Sequence, residues 1–342
     1  MKLTDFDYHL PADRIAQRPL QQRDASRLLV VNRDTCAIHH TQFSQIGKYL
    51  PDDALLVLND TKVIPARLIG NKSETGGQIE LLLIREKEAD TWEVLAKPRR
   101  SLQIGTQIVF GDSALTAEVL AKPDDGHCIV RFDYIGEFSV ILADTGMMPL
   151  PPYIRRPPNA EDKVRYQSVY AATEGAIAAP TAGLHFTQEL LEELKNSGIE
   201  TAMLTLHVGP GTFQPVKLEN ITAHKMHAEY IHLTETEADR IHIAREAGRK
   251  IVAIGTTVVR SLETAGTMGT VHPYSGYSEL FIYPGHRFNA VDALVTNFHL
   301  PKSTLLMLVS AFAGRNLIQQ AYQAAIQHNY RFYSYGDAML IL

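Results

Sequence analysis

The chain has 342 residues, 45% of them hydrophobic, which is ample for a packed core and for more than one domain. Its formal net charge of −5 neither demands nor excludes a nucleic-acid partner, because phosphates are met by a local basic face. Two cysteines, Cys36 and Cys128, stand far apart in no zinc or redox spacing, which argues against a disulfide framework and fits a reducing compartment.

The opening MKLTDFDYHLPADR (1–14) has acidic residues where a secretory signal needs a basic and then an apolar region. No apolar run approaches the roughly 20 residues needed to span a bilayer. A soluble, cytoplasmic protein with no membrane partner is expected. RLLVV (27–31) and CAIHH (36–40) read as a hairpin around the turn 32–35, and ALLVLNDT (54–61) reads as a buried strand ending in a polar turn. ARLIG, QIELLLI, TWEVLA, TQIVF, LTAEVL and CIVRF then follow at regular spacing between residues 66 and 132, which suggests a small antiparallel barrel or sandwich. The prolines of MMPLPPYIRRPP (147–158) forbid regular helix and read as an extended linker.

Beyond the linker, strands and helices alternate. GAIAAPTAGLHFT (175–187) reads as a strand running into a loop. TQELLEELKNSG (187–198) has a threonine cap, a Leu190, Leu191, Leu194 stripe and a terminating glycine. AMLTLHVGPGTF (202–213) is a second apolar run ending in a histidine loop, and TETEADRIHIAREAG (234–248) opens with the capping-box pair Thr234 and Glu237. KIVAIG (250–255) is a strand leading into the helix TTVVRSLETAG. ELFIY (279–283) and ALVTN (293–297) are further strands, and STLLMLVSAFAG (303–314) and NLIQQAYQAAIQH (316–328) are helices. The expected fold is an α/β domain with a mixed, largely parallel sheet, made from residues 1–61 and 149–342, with an all-β barrel-like domain of residues 62–148 inserted.

Three of these runs end in histidines, His185, His207 and His299, in loops punctuated by glycine or proline. In open α/β sheets ligands bind beyond the carboxyl ends of the strands, and histidines there transfer protons near neutral pH. In APTAGLHF (179–186), Thr181, the amides freed by Gly183, and His185 suit an anion at a helix start. HVGPGTF (207–213) lets backbone approach a ligand closely but lacks the nucleotide-loop spacing. GTTVVRSLE (255–263) puts Thr256 and Thr257 at a helix start with Arg260 and Glu263 one turn on, where the two ions equally suit a surface pair. TNFHLPKST (296–304) supplies Asn297, His299 and a Ser303 cap, and LNDTKVIPARL (58–68) supplies Asn59, Asp60, Lys62 and Arg67. Each loop alone reads equally as an ordinary turn.

HKMHAEYIH (224–232) invites a metal reading through His224 and His227, but no His-Glu-x-x-His pattern or third ligand is present, so no metal site is assigned. Glu229 and His227 read as an acid/base pair or as a surface pair. No nucleophile motif occurs. Arginines punctuate the N-terminus at Arg14, Arg18, Arg23 and Arg27. KPRR, with Arg99 and Arg100, and YIRRPP, with Arg155, Arg156 and then Arg165 nearby, are aromatic-laced basic segments of the kind that contact RNA. Such clusters are also common on solvated surfaces.

Taken together, LVLNDTKVIPARL, MPLPPYIRR, YQSVYA, GAIAAPTAGLHFT, TLHVGPGTFQPV, HAEY, GTTVVRSLE, LFIYPG, VDALVTNFHLPKSTLLMLVSAFAG and YRFYSYGDAMLI resemble the S-adenosylmethionine:tRNA ribosyltransferase-isomerase family of queuosine biosynthesis. The resemblance runs from the N-terminus to Ile341, and Arg155 falls where the family's YI-x-R motif is loose. It implies an α/β domain with an inserted β-barrel. It also implies transfer and isomerisation of the ribosyl part of S-adenosylmethionine onto an aminomethyl-deazaguanine at the tRNA wobble position. Adenine and methionine would be released and epoxyqueuosine formed. On this reading the base and acid roles fall among His185, His207, His227 and His299, and Asp60, Glu229 and Glu263 orient hydroxyls or accept the amine proton. Asn59, Thr61, Arg67, Thr181, Gly183, Phe186, Gly209, Gly211, Thr212, Thr256, Thr257, Arg260 and Asn297 would contact the substrate. Arg99, Arg100, Arg155, Arg156 and Arg165 would contact tRNA. S-adenosylmethionine is a co-substrate, no resident cofactor or metal is expected, and a monomer is expected. The competing readings are a methyltransferase using the same co-substrate and a non-catalytic RNA-binding protein.

Overall fold

In the computed structural model, which describes residues 1–111, 115–123, 126–209, 216, 218–267 and 269–342, the N-terminal hairpin forms as β1 (Arg27–Val31) and β2 (Ile38–Gln42). Its turn is closed by Asn32, whose Oδ1 accepts from the Asp34 and Thr35 amides at 3.0 and 2.8 Å. The strand β3 (Leu55–Asn59) is buried along its whole length, as expected of a run covered on both faces.

The chain then builds β4 (Arg67–Lys72), β5 (Gln78–Glu88), β6 (Thr91–Lys97), β7 (Gln107–Phe110), β8 (Leu115–Ala121) and β9 (Cys128–Tyr134). These close as an antiparallel barrel in the order β9-β6-β5-β4-β7-β8, with buried and exposed residues alternating along β8 and β9. The short helix α1 (Phe138–Thr145) follows, and α2 (Ala160–Arg165) comes after the proline-rich stretch. By contacts, the described residues divide into one unit of Met1–Lys62, Pro152–Arg156 and Arg165–Leu342 and a second of Val63–Pro151 and Pro157–Val164.

The first unit is completed by α3 (Gln188–Asn196), β10 (Glu200–Leu206), β11 (Glu229–Leu233), α4 (Glu235–Glu246), β12 (Ile251–Ile254), α5 (Thr256–Ala265), β13 (Tyr274–Ser278), β14 (Ala293–Asn297), α6 (Thr304–Ala313), α7 (Arg315–Gln327) and β15 (Ala338–Ile341). Its nine-stranded sheet runs β13-β11-β10-β3-β12-β14-β15-β1-β2. The sheet is mixed. Parallel pairing holds in the central run β10-β3-β12-β14 and between β15 and β1, and the remaining pairings are antiparallel. Alternate residues of β3 serve the two cores: Leu55 and Val57 face the helices α4 to α7, whereas Leu56 and Leu58 face α3 and the N-terminal 3-10 turn carrying Phe43. No helix among the described residues is long and apolar enough to cross a membrane.

Local details differ from the sequence expectations in four places. GAIAAP is not a sheet strand: only Thr173–Ala176 is extended, outside the nine-stranded sheet, and His185 closes a 3-10 turn, Thr181–His185. ELFIY is irregular, and its Leu280 carbonyl accepts from Arg260 Nε at 3.1 Å. The strand is the preceding polar YSGYS, which fills the sheet's edge beside β11. Thr234 does cap α4, but the Glu237 carboxylate bonds the Met203 amide at 2.9 Å, tying the helix to β10 instead of closing the box.

The barrel leaves no room at Gly70. A Cβ there would lie 2.6 Å from both Phe110 Cδ1 and the Val109 carbonyl oxygen. Replacing Gly70 by Ala is therefore expected to destabilise the protein by about 1–3 kcal/mol, measured as a lowered denaturation midpoint, and an unchanged midpoint would show that β4 and β7 can separate freely.

Candidate active site

Parallel neighbours β12 and β14 end side by side. Gly255, at φ +102°, turns the chain from β12 into α5, and its amide donates to the Val295 carbonyl at 2.8 Å. The turn needs glycine because a side chain is strained at this φ. It leaves the Thr256 and Thr257 amides at the helix start with no bonded acceptor among the described residues. A cleft lies there, lined by Thr181, Thr256, Thr257, Asn297, His299 and Tyr333 among others.

Asn297 is 2% exposed, and its Nδ2 donates to the Tyr333 carbonyl and contacts His185 Nε2, both at 3.1 Å. The carbonyl fixes the amide orientation, since a flipped Oδ1 would face another acceptor. His185 Nε2 must then accept, so its Nδ1 carries the proton and donates to Ser26 Oγ at 2.7 Å. The ring also stacks on Phe43 with centroids 5.0 Å apart. Burial, followed by the charges of Arg331 and Arg23, pushes its pKa down to about 3. His185 therefore lies behind the cleft with both nitrogens engaged, bracing Asn297. Phe186 and Gly183 lie with it in the packed wall: Phe186 meets Phe43 edge-on at 4.9 Å, and a Cβ on Gly183 would strike Tyr170 at 2.3 Å.

His299 does reach the cleft. Its Nε2 pairs with Thr296 Oγ1 at 2.8 Å, its amide donates to the Tyr322 hydroxyl at 2.9 Å, and its carbonyl accepts from the Tyr8 hydroxyl. Desolvation alone pushes its pKa down to about 3, so the ring is neutral. His207, at the end of β10, is less enclosed. Its Nδ1 meets Thr61 Oγ1 at 2.8 Å, and its ring lies against Gly175, where a Cβ would sit 2.7 Å from Cε1. Burial lowers its pKa and the Asp60 carboxylate opposes that shift. Asp60 itself accepts from Thr205 Oγ1 at 2.6 Å and from Thr173 Oγ1 at 3.2 Å. Asn59 is fully buried and imitates backbone, exchanging 3.0 Å hydrogen bonds with both the amide and the carbonyl of Leu206.

Several expected site residues are used elsewhere. Arg260 bonds Glu229 in a buried ion pair, and Glu229 also accepts from the Gly209 amide at 2.9 Å. Glu263 holds the turn before β14 through the amides of Asn289 and Ala290. Neither Arg260 nor Glu263 lines the cleft. His227 is exposed on an irregular segment and does not line the cleft. Arg67 belongs to the barrel unit, with Nε 3.3 Å from Glu80. Gly211 and Thr212 lie outside the described residues. Among the basic residues, Arg100 and Arg155 are exposed. Arg99, Arg156 and Arg165 bond carbonyls of His127, Gln17 and Gln21 at 3.2, 2.9 and 2.9 Å. The sequence reading missed Tyr333, which lines the cleft at φ +71°, and Ser26, which sets the His185 tautomer. The aromatic run YRFYSYGD marks the first, and nothing local marks the second.

The model of one family, described as queuosine biosynthesis protein, matches residues 3–341. The chain belongs to this family. It is 52% identical over 343 residues to the S-adenosylmethionine:tRNA ribosyltransferase-isomerase of Caldanaerobacter subterraneus subsp. tengcongensis, with 100% of both chains covered. Identity to the protein of the same name from Moorella thermoacetica is 53% over 344 residues, again with 100% of both covered. The crystal structure of a Thermotoga maritima S-adenosylmethionine tRNA ribosyltransferase is 40% identical, with a TM-score of 0.57, and the match covers 99% of this chain and 100% of that one.

Two enclosed histidines make the stability of this family member depend on acid. Each has a folded pKa of about 3, against roughly 6.5 in an unfolded chain. The unfolded state therefore takes up protons first, and stability that is complete above pH ~6.5 is lost as pH falls toward 3. Each ring accounts for about 1.4 kcal/mol per pH unit within that window. Denaturation of wild type and His185→Gln between pH 7 and pH 4 should show a shallower decline in the variant, and identical slopes would mean that His185 titrates normally.

Proposed function

We infer that this protein is an S-adenosylmethionine:tRNA ribosyltransferase-isomerase, an enzyme of queuosine biosynthesis. What carries the reading is identity of about one residue in two, along the full length, to relatives bearing that name. The cleft at the strand ends supports it, being lined by the hydroxyl, amide and imidazole groups that can hydrogen-bond a nucleoside-bearing co-substrate.

The reaction places definite demands on such a cleft. The sulfonium of S-adenosylmethionine acidifies the adjacent C5′ protons, so a base must take one. Adenine must depart with a proton, and the amine of the aminomethyl-deazaguanine must be neutral when it attacks the ribosyl C1′. Isomerisation to the epoxycyclopentane then releases methionine. Each transfer suits a histidine of pKa near the working pH. Of the three loop histidines, His207, whose neighbour Val208 lines the cleft, fits best: it is half-buried, held by Thr61 through one nitrogen, and has Asp60 nearby to stabilise its cation. His299, neutral at working pH, orients the substrate through hydrogen bonding. The scheme draws on S-adenosylmethionine as co-substrate and calls on no resident cofactor or metal. Exposed Arg100 and Arg155 are the candidates for phosphate contact in tRNA. The protein is proposed to act as a monomer in the cytoplasm.

Incubation with S-adenosylmethionine and tRNA carrying the precursor base, followed by mass analysis of the digested nucleosides, tests this. The wobble nucleoside should gain the ribosyl-derived group while adenine and methionine appear. Release of S-adenosylhomocysteine would assign methyl transfer, and an unchanged nucleoside with intact co-substrate would leave only RNA binding. Replacing His207 by Ala is expected to cut turnover by roughly 10²–10⁴-fold with tRNA affinity unchanged, and unimpaired turnover would remove His207 from the mechanism.

A further inference from the structure

One acceptor in the cleft has no donor. Asn297 Oδ1 is buried and makes no hydrogen bond among the described residues, although the same amide is fully engaged through Nδ2. The Tyr333 carbonyl and His185 take up the nitrogen side, and Asn297 is a lining residue of the cleft. An unmade hydrogen bond at a buried polar atom is costly, so Oδ1 is set for a donor that arrives with the ligand. The complementary feature lies on the neighbouring strand. Ile254 pairs with Val295 in parallel register, so the start of α5, beyond Gly255, and Asn297 lie at the ends of adjoining strands and line the same cleft. There the amides of Thr256 and Thr257 open the ten-residue helix α5, which directs positive potential at the cleft.

An anion site and an ammonium acceptor lining one cleft match the two charged groups that an α-amino acid carries on a single carbon. We propose that this pair of strand ends is the amino-acid subsite of the cleft, with the methionine carboxylate of S-adenosylmethionine on the Thr256 and Thr257 amides and its α-ammonium donating to Asn297 Oδ1. The proposal rests on the assignment of S-adenosylmethionine as co-substrate and specifies which end of it goes where. An amide suits this role, because it accepts from an ammonium without bringing a second anion beside the carboxylate. His185 is then a positioning residue, because its unprotonated Nε2 keeps Nδ2 turned away from the cleft.

Calorimetric binding of S-adenosylmethionine to wild type and to Asn297→Leu tests the proposal. Two analogues complete the experiment: one in which a keto group replaces the α-amine, and one in which hypoxanthine replaces adenine. The variant should bind S-adenosylmethionine about ten- to a hundredfold more weakly. Wild type should lose a similar factor with the keto analogue, and the variant should then lose nothing further. With the hypoxanthine analogue the penalty of the substitution should persist. A penalty that vanishes with hypoxanthine and persists with the keto acid would place the adenine amine at Asn297 and overturn the proposal, as would a variant that binds like wild type. Wild type alone supplies a check independent of the variant's folding: an analogue lacking the carboxylate and the keto analogue should each bind at least tenfold more weakly, and equal affinity for either overturns the subsite. Absence of any binding of S-adenosylmethionine to wild type would instead overturn the functional assignment itself.

Discussion

The placement of the last strand between β14 and β1 is the constraint on which the cleft depends. Among the described residues, β1 pairs only with β2 and with β15, so the N-terminal hairpin joins the sheet through residues 338–341. On its other edge β15 runs antiparallel to β14, with Ala338 opposite Asn297. The chain approaching β15 must therefore pass over the end of β14. Asp337 fixes that approach by accepting from the Arg27 and Arg331 amides at 3.1 and 2.8 Å. Gly336 permits the tight turn, since a Cβ there would lie 2.6 Å from the Arg331 carbonyl oxygen. Tyr333 is consequently held at positive φ with its carbonyl against Asn297 Nδ2. Strain in a bulky residue at a ligand site is tolerated only when surrounding contacts over-determine it. Here the strand pairing supplies them.

A second property follows from how the molecule treats its buried polar side chains. Asn59, Glu229, Arg260 and Glu263 are all buried, and each has protein partners. Asn59 continues the hydrogen bonding where β3 and β10 separate, the Glu229–Arg260 pair secures the Gly209 amide, and Glu263 holds the turn before β14. Buried groups of this kind are costly unless satisfied, and once satisfied they define loop positions closely. Residues that look catalytic as types thus serve as fixtures for the loops that carry the cleft. Asn297 differs from them in one atom, Oδ1.

The repeating elements were legible in the sequence because their signals are local. Alternation of apolar and polar residues located all six barrel strands, and Thr187, Thr234 and Ser303 each cap a helix with the side-chain oxygen. Elements defined by distant partners were not. YSGYS becomes a strand only because β11 offers an edge, and AMLI becomes one only because β14 and β1 leave a gap. The histidine loops show the same division. Their apolar runs predicted strand ends for His207 and His299, but spacing cannot tell a ring facing a cleft from one stacked on Phe43 behind it. That distinction depends on Ser26, which is 159 positions from His185.

Among the described residues the cleft is lined by no ionised side chain; its polarity comes from threonines, Asn297, the neutral His299 and the open amides of α5. This is a chemical choice with consequences for a sulfonium substrate. A carboxylate beside the sulfur would hold the cation tightly in the ground state, at short range and in a poorly screened site. Removal of a C5′ proton converts that cation to a neutral ylide, so the carboxylate's stabilisation would be lost on the way to the transition state and the barrier raised by the same amount. Catalysis rewards only interactions that strengthen toward the transition state. In the proposed placement, fixed neutral dipoles would grip the amino-acid end, where charge does not change during reaction, and the described lining residues would give the sulfur no counterion. Binding and activation would thereby be assigned to different parts of the same co-substrate.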